Sequence, residues 1–203
     1  MQANSQQNIT PKKEKSSFTK GFIEQLELIV IFFAIIILVF SFVCKSCIVD
    51  GDSMNNTLHD GERVIVWNLF YTPRRGDIVV IHDIGNLDES KPVVKRVIGV
   101  EGDIIHIEHN IDGMKVIVTR ADLNGMPVVL DELEYIYYDL SVGSPSYYPQ
   151  SKTYVVGEDQ VFVMGDNRLN SIDSRLVGCY DSRQILGKVI FRMTPFDKIG
   201  TVN

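Results

Sequence analysis

The stretch "PVVKRVIGV", Pro92 to Val100, decides the fold. Valine and isoleucine dominate it, and β-branched side chains suit a pleated strand better than a helix. Two bases, Lys95 and Arg96, interrupt the apolar run. Successive strand side chains point to opposite faces, so Lys95 shares a face with Val93 and Val97, and Arg96 with Val94 and Ile98. The two bases therefore point opposite ways, and one should face inward among apolar groups. Strand periodicity alone leaves Lys95 open. One reading is a surface lysine on an edge strand. The other is a buried amine, whose charged form is disfavoured and whose pKa falls by several units. Such an amine is free near neutral pH and can take a proton from a serine hydroxyl.

Outward from this stretch the same grammar recurs. "RVIVW", "GDIVVIH", "DIIHIEH", "MKVIVT", "TYVVG", "QVFVMG" and "KVIFRM" are short runs rich in valine, isoleucine and aromatics. Gly, Pro, Asp or Asn punctuate them. "RRGD" (Arg74 to Asp77), "EGD" (Glu101 to Asp103) and "IDG" (Ile111 to Gly113) read as turns. Helical periodicity is nearly absent, apart from a short candidate near Ser182 to Leu186. The pattern predicts an all-β domain with mostly antiparallel pairing. Ala121 to Lys152 differs: it is acidic, tyrosine-rich and irregular. With the hairpin before it, this segment forms an expected inserted β lobe at about 108–153.

The N-terminus has another character. Residues 1–20 are polar and carry Lys12, Lys13, Lys15 and Lys20, which suits a disordered tail. Leu28 to Cys44, "LIVIFFAIIILVFSFVC", is uncharged, and Ser41 is its only strongly polar member. Its length falls at the lower end of the roughly 17–25 residues that span a bilayer. A cleavable secretory signal is the alternative, but its apolar core is usually about 7–15 residues, and no Ala-x-Ala follows here. A transmembrane anchor over 21–45 is the expectation, leaving 46–203 as the second domain. Lysines precede the span, so the N-terminus is expected in the cytoplasm and the domain outside.

Bulk composition excludes some functions. The net charge of −6 argues against nucleic acid as a partner. Three cysteines make no disulfide framework. Cys44 and Cys47 have redox spacing, "CKSC", but no βαβ pattern surrounds them. The histidines suggest no metal site: His106 and His109, three apart on a strand, point to opposite faces. His59 lies too close to Ser53 in sequence to be a confident partner, and His82 ends a strand. No phosphate-binding glycine loop occurs, so neither cofactor nor metal is expected.

Two polar blocks remain. "DGDSMNNTL", Asp50 to Leu58, sets Ser53 in a turn-rich segment just past the apolar run. Ser53 is a helix cap, a turn residue or a nucleophile. "GDNRLNSIDSR", Gly165 to Arg175, follows a strand and is unusually polar. It is a solvated loop with Asx turns, or a set of hydroxyls and paired charges that orients a lysine.

Together, "GDSMNNTL", "RRGDIVVIH", "VVKRVIGVEGDII" and "VMGDNRLNSIDSR" behind an apolar N-terminal run resemble the bacterial type I signal peptidases. The resemblance covers Gly21 to about Arg192. The short insert and single anchor look like the Gram-positive branch. The resemblance implies a membrane-anchored serine endopeptidase with a serine–lysine dyad. It removes signal peptides from secreted preproteins near the translocon, cutting after small residues of Ala-x-Ala type. The nucleophile falls on Ser53 and the general base on Lys95. The hydroxyl that hydrogen-bonds the lysine falls on Ser171. The structural acid and arginine fall on Asp173 and Arg175, with Asp166 in the same network. Val49, Gly51, Asp52, Met54 and Val94 are the matching candidates for contacting substrate.

Two positions depart from the family pattern. Asn56 stands where "SMxPTL" has proline, so a looser turn is expected. Gly51 stands where some relatives carry a serine that adds an oxyanion donor. That leaves the backbone N–H of Ser53 as the main donor. One alternative is a Ser–Lys protease of the self-cleaving repressor type, though no DNA-binding module precedes this domain. Another is a catalytically silent anchored β-module serving as a secretion or pilin-assembly scaffold, which only Asn56 favours.

Overall fold

The computed structural model describes residues 15–82, 91–110, 113–132, 134–136 and 151–202. Helix α1, Lys15–Val43, opens the described chain. Its stretch Lys20–Leu38 has a mean hydropathy of 2.3 and is long and apolar enough to cross a membrane. The helix ends at Val43 and strand β1, Cys44–Ile48, follows at once. Cys44 and Lys45, expected at the end of the span, are therefore strand residues. The chain divides between Phe42 and Val43 into two compact units.

The second unit is built of antiparallel strands. After β1 come β2 (Arg63–Trp67), β3 (Ile78–His82), β4 (Pro92–Val100), β5 (Ile104–Asn110) and β6 (Gly113–Arg120). Then follow β7 (Met126–Val129), β8 (Ser151–Val155), β9 (Gln160–Met164), helix α2 (Ser174–Val177), β10 (Tyr180–Asp181), β11 (Ile185–Thr194) and β12 (Gly200–Thr201). One eight-stranded sheet has the order β1-β2-β11-β3-β4-β9-β10, with β12 beside β11. A four-stranded sheet has the order β7-β6-β5-β8. Each run read as a strand in the sequence is one.

The differences have local causes. The strand β7 lies inside the segment read as irregular, because Pro127 masks its pattern. It pairs with β6 alone, the edge position proline tolerates. Near Ser182 the short helix is a 3₁₀ turn, Ser182–Gln184. Of the expected turns, Ile111 and Asp112 lie outside the described residues, as do residues 137–150 of the tyrosine-rich segment. The other two turns are tied together: Arg75 donates to both oxygens of buried Asp103, at 2.7 and 2.6 Å.

Simple alternation fails in the middle of the large sheet, because both its faces are covered. On β3, Ile78 and Val80 pack with Val49, Met54, Leu58, Val64, Val66, Val94 and Val189. Val79 and Ile81 pack with Val97, Val161, Val163 and Tyr180. A third cluster joins the sheets: Ile98, Phe162 and Met164 of the large one meet Ile105, Ile107, Val116, Val118 and Tyr154 of the small one. Each such buried side chain contributes about 1.5–3 kcal/mol. That suffices to drag neighbouring polar residues inside when they find partners.

Candidate active site

Ser53 rides on a loop whose ends are stitched together. Val49 N–H donates to the Glu62 carbonyl and Gly61 N–H to the Val49 carbonyl, both at 2.9 Å. Met54 and Leu58 drop into the core at 1% and 0% exposure. These anchors fix the loop from beneath and leave Ser53 half-buried on top. Gly51 N–H donates to Asp60 Oδ1 at 2.8 Å, from a backbone at φ +88°. That conformation suits glycine and disfavours any side chain there.

Lys95 Nζ lies 2.7 Å from Ser53 Oγ. The expectation that one of the two neighbouring bases turns inward changes here: Lys95 and Arg96 are each 3% exposed. They go to different partners. Arg96 grips Asp166 with a two-pronged contact, Nε to Oδ1 at 2.9 Å and Nη2 to Oδ2 at 2.8 Å. Its Nη1 donates to the Gly76 carbonyl at 2.9 Å. Thr57 of the serine loop donates its hydroxyl to Asp166 Oδ2 at 2.5 Å. Burying a charge is tolerable only when it is so fully bonded.

The polar block at 165–175 is not a solvated loop. Asn167 N–H donates to the Ser53 carbonyl at 3.0 Å, and its Nδ2 to the Asp52 carbonyl at 3.1 Å. Ser171 is 3% exposed and is one of the groups that lower the pKa of the Asp173 carboxylate. A Cβ at Gly165 would fall 2.3 Å from Ser171 Oγ and 2.5 Å from the Ser53 carbonyl oxygen. The missing side chain is what lets Ser171 approach the serine loop.

Asp173 is fully buried and accepts from Gly165 N–H at 3.0 Å and from Arg175 Nε and Nη2, both at 2.8 Å. Burial pushes its pKa up, but Arg175 and the bonds from Gly165 and Ser171 outweigh that and hold it below the usual carboxylate range. Asp173 also caps α2 by accepting from Arg175 N–H. Arg175 Nη1 donates to the Arg168 carbonyl at 2.8 Å, tying the block into one piece.

Three residues of this neighbourhood escaped the sequence reading, Thr57, Arg168 and Glu132, and Asn167 suits only a turn by that reading. Arg168 is wholly buried and pairs through both Nη atoms with Glu132, at 2.7 and 2.6 Å. Its Nε donates to the Gly165 carbonyl at 3.0 Å. The partners lie 36 residues apart in the chain, so no local pattern announces the pair.

Of the candidate substrate contacts, Val49, Met54 and Val94 pack together at 2%, 1% and 7% exposure. Gly51 and Asp52 are exposed. An open cavity of about 570 Å³ lies on the Arg96 side, lined by Thr57, Tyr135, Lys188 and Arg192 among others, and by neither Ser53 nor Lys95. Two of the histidines have partners of their own. His59 Nδ1 faces Glu62 at 3.6 Å, and His106 Nδ1 is 2.7 Å from Thr153 Oγ1. Among the described residues no three His, Cys, Asp or Glu converge as metal ligands. Cys44 and Cys47 are free thiols on β1.

The family described as "Signal peptidase, peptidase S26" matches residues 22–194. Signal peptidase I S of Bacillus subtilis is 34% identical over 199 residues, 95% of this chain and 100% of that protein. Signal peptidase IB of Staphylococcus aureus is 35% identical over 188 residues, 88% of this chain and 93% of its own length. A crystal structure of a signal peptidase I from Enterococcus faecalis aligns at 25% identity with a TM-score of 0.40, covering 59% of this chain and 97% of that one.

Proposed function

Because this chain belongs to the signal peptidase S26 family of peptidases, we propose that it removes signal peptides from secreted preproteins with Ser53 as nucleophile and Lys95 as general base. The observation that carries this reading is the 2.7 Å separation of Lys95 Nζ and Ser53 Oγ in a buried setting. Burial disfavours the ammonium, so the amine is available as a base. Neutral Lys95 takes the Ser53 proton as Oγ attacks the scissile carbonyl. The resulting ammonium gives that proton to the leaving amine, and an acyl-enzyme forms on Ser53. Water then loses a proton to Lys95 and attacks the ester, and the proton returns to Ser53 Oγ. The Ser53 N–H stabilises the developing oxyanion. Ser171, Asp173, Arg175 and Asp166 hold this pair in register, Ser171 by bonding the lysine.

The substrate binds as an added strand. β1 is an edge strand that leads directly to Val49–Ser53, so backbone groups beside the nucleophile can pair with an extended peptide. Val49 and Val94 floor the adjoining surface and leave room for side chains of alanine size. Helix α1 tethers the domain to the membrane with its lysine-rich end in the cytoplasm. Tethering enzyme and precursor in one bilayer beside the translocon raises their effective concentration. Phe70, on the loop after β2, is 95% exposed, as suits an aromatic side chain that enters a lipid interface.

The test is cleavage of a model preprotein by the full chain in detergent micelles. Ser53→Ala and Lys95→Ala are each expected to lose roughly 10³-fold or more in kcat/KM while remaining folded by circular dichroism. Near wild-type rates in either variant would overturn the assignment. A peptide library favouring bulky residues one and three positions before the cut would overturn the small-residue preference.

A further inference from the structure

A short strap after β7 reaches the site from the small sheet. Leu130 N–H donates to the Val116 carbonyl at 3.1 Å, anchoring its start. A single turn follows, with Tyr135 N–H donating to the Glu132 carbonyl at 3.1 Å and Ile136 N–H at 3.0 Å. The turn sets Glu132 and Tyr135 on the same side, and the Tyr135 hydroxyl donates to Glu132 Oε1 at 2.9 Å. The Tyr135 ring lies 4.1 Å from the Arg96 guanidinium and 5.9 Å from that of Arg168. One aromatic ring thus contacts two cations, each of which is also paired with a carboxylate.

Those cations hold the start of the segment beside the serine, at Gly165 and Asp166. Arg96, next to Lys95 on β4, bonds Asp166. Arg168 bonds the Gly165 carbonyl with one edge and Glu132 with the other. Gly165 in turn abuts the Ser53 carbonyl and Ser171. We infer that Tyr135 and Glu132 are positioning residues, which fix Lys95 against Ser53 by clamping Arg96 and Arg168. The inference rests on the proposed serine–lysine chemistry. Its physical content is that the ring, rather than the phenol hydroxyl, carries most of the clamp. The ring contacts a cation directly, whereas the hydroxyl only braces a carboxylate that Arg168 already holds with two bonds.

The test uses the full chain in detergent micelles, with a model preprotein as substrate and Ser53→Ala as the blank. Tyr135→Phe keeps the π face and is expected to stay within about twofold of wild type in kcat. Tyr135→Leu removes it and is expected to lower kcat about tenfold with KM unchanged, the scale of one partly buried cation–π contact. A merely structural role would lower the unfolding midpoint and the fraction of active enzyme, leaving kcat per titrated Ser53 intact. Equal kcat per active site in wild type and Tyr135→Leu overturns the inference, as does an equal loss in Phe and Leu variants. Should Tyr135→Leu unfold at the assay temperature, Tyr135→Trp against Tyr135→Met repeats the contrast. A wild-type chain no better than the Ser53→Ala blank would instead sink the serine–lysine reading.

Discussion

A methyl group at position 165 would meet two oxygens at once, Ser171 Oγ at 2.3 Å and the Ser53 carbonyl at 2.5 Å. Neither belongs to a floppy side-chain end, because Ser171 is buried and the Ser53 carbonyl is held by Asn167 N–H. Gly165→Ala is therefore expected to push the serine loop away from β9. The cost should be about 1–3 kcal/mol of stability, as for other overpacked sites, with more than tenfold lost from kcat/KM. Urea unfolding and steady-state cleavage read the two effects separately. A variant as active as wild type would show that the loop tolerates displacement. Asn56 is a second case where one dihedral decides. Its φ of +63° lies in a region proline cannot enter, so the turn after Ser53 differs in kind from one built on proline, rather than being a looser copy. Asparagine tolerates that region better than most residues, which is why the loop keeps its anchors. The identity of Asn56 was legible; its dihedral was not, because turn geometry depends on what Met54 and Leu58 bury.

At the scale of the element, α2 is the instructive case. Four residues cannot form a stable helix by propensity. This helix exists because Asp173 caps it and because Arg175, inside it, is paired back to the same carboxylate. The depressed pKa of Asp173 makes that arrangement sensitive to acid. A carboxyl whose folded pKa lies below its unfolded value, about 3.9, contributes stability that is complete above that value and lost as pH falls through the folded pKa. Wild type should therefore lose more unfolding free energy between pH 7 and strong acid than Asp173→Asn does. At pH 7 the variant should be roughly 3–5 kcal/mol less stable, since Arg175 is left buried without its counter-charge. Urea midpoints across pH check this, and a constant gap between the two chains would contradict it. Strands were more readable than this helix, because valine and isoleucine alternation is a local signal. Four strands escaped: β1 follows the apolar run without a break, β7 contains Pro127, and β10 and β12 have two residues each, too few to show a pattern.

At the scale of the whole chain, the division between Phe42 and Val43 has a consequence. The clusters that hold the second unit use no residue of α1. A chain beginning at Val43 is expected to keep the urea midpoint of the full chain while losing its affinity for vesicles. With a vesicle-bound preprotein its cleavage rate should fall well below that of the tethered chain, whereas with a short soluble peptide the two should match. Equal rates on the vesicle-bound preprotein would remove the anchor from the mechanism. The amino-acid sequence by itself determined the apolar helix, most of the strands and the short list holding Ser53 and Lys95, because composition and alternation act over a few residues. Only the tertiary structure decided that both Lys95 and Arg96 are buried, and that Glu132 and Tyr135 stand behind Arg96 and Arg168. A sheet covered on both faces has no outside for a base to point to, so each side chain's surroundings depend on partners brought from distant parts of the chain.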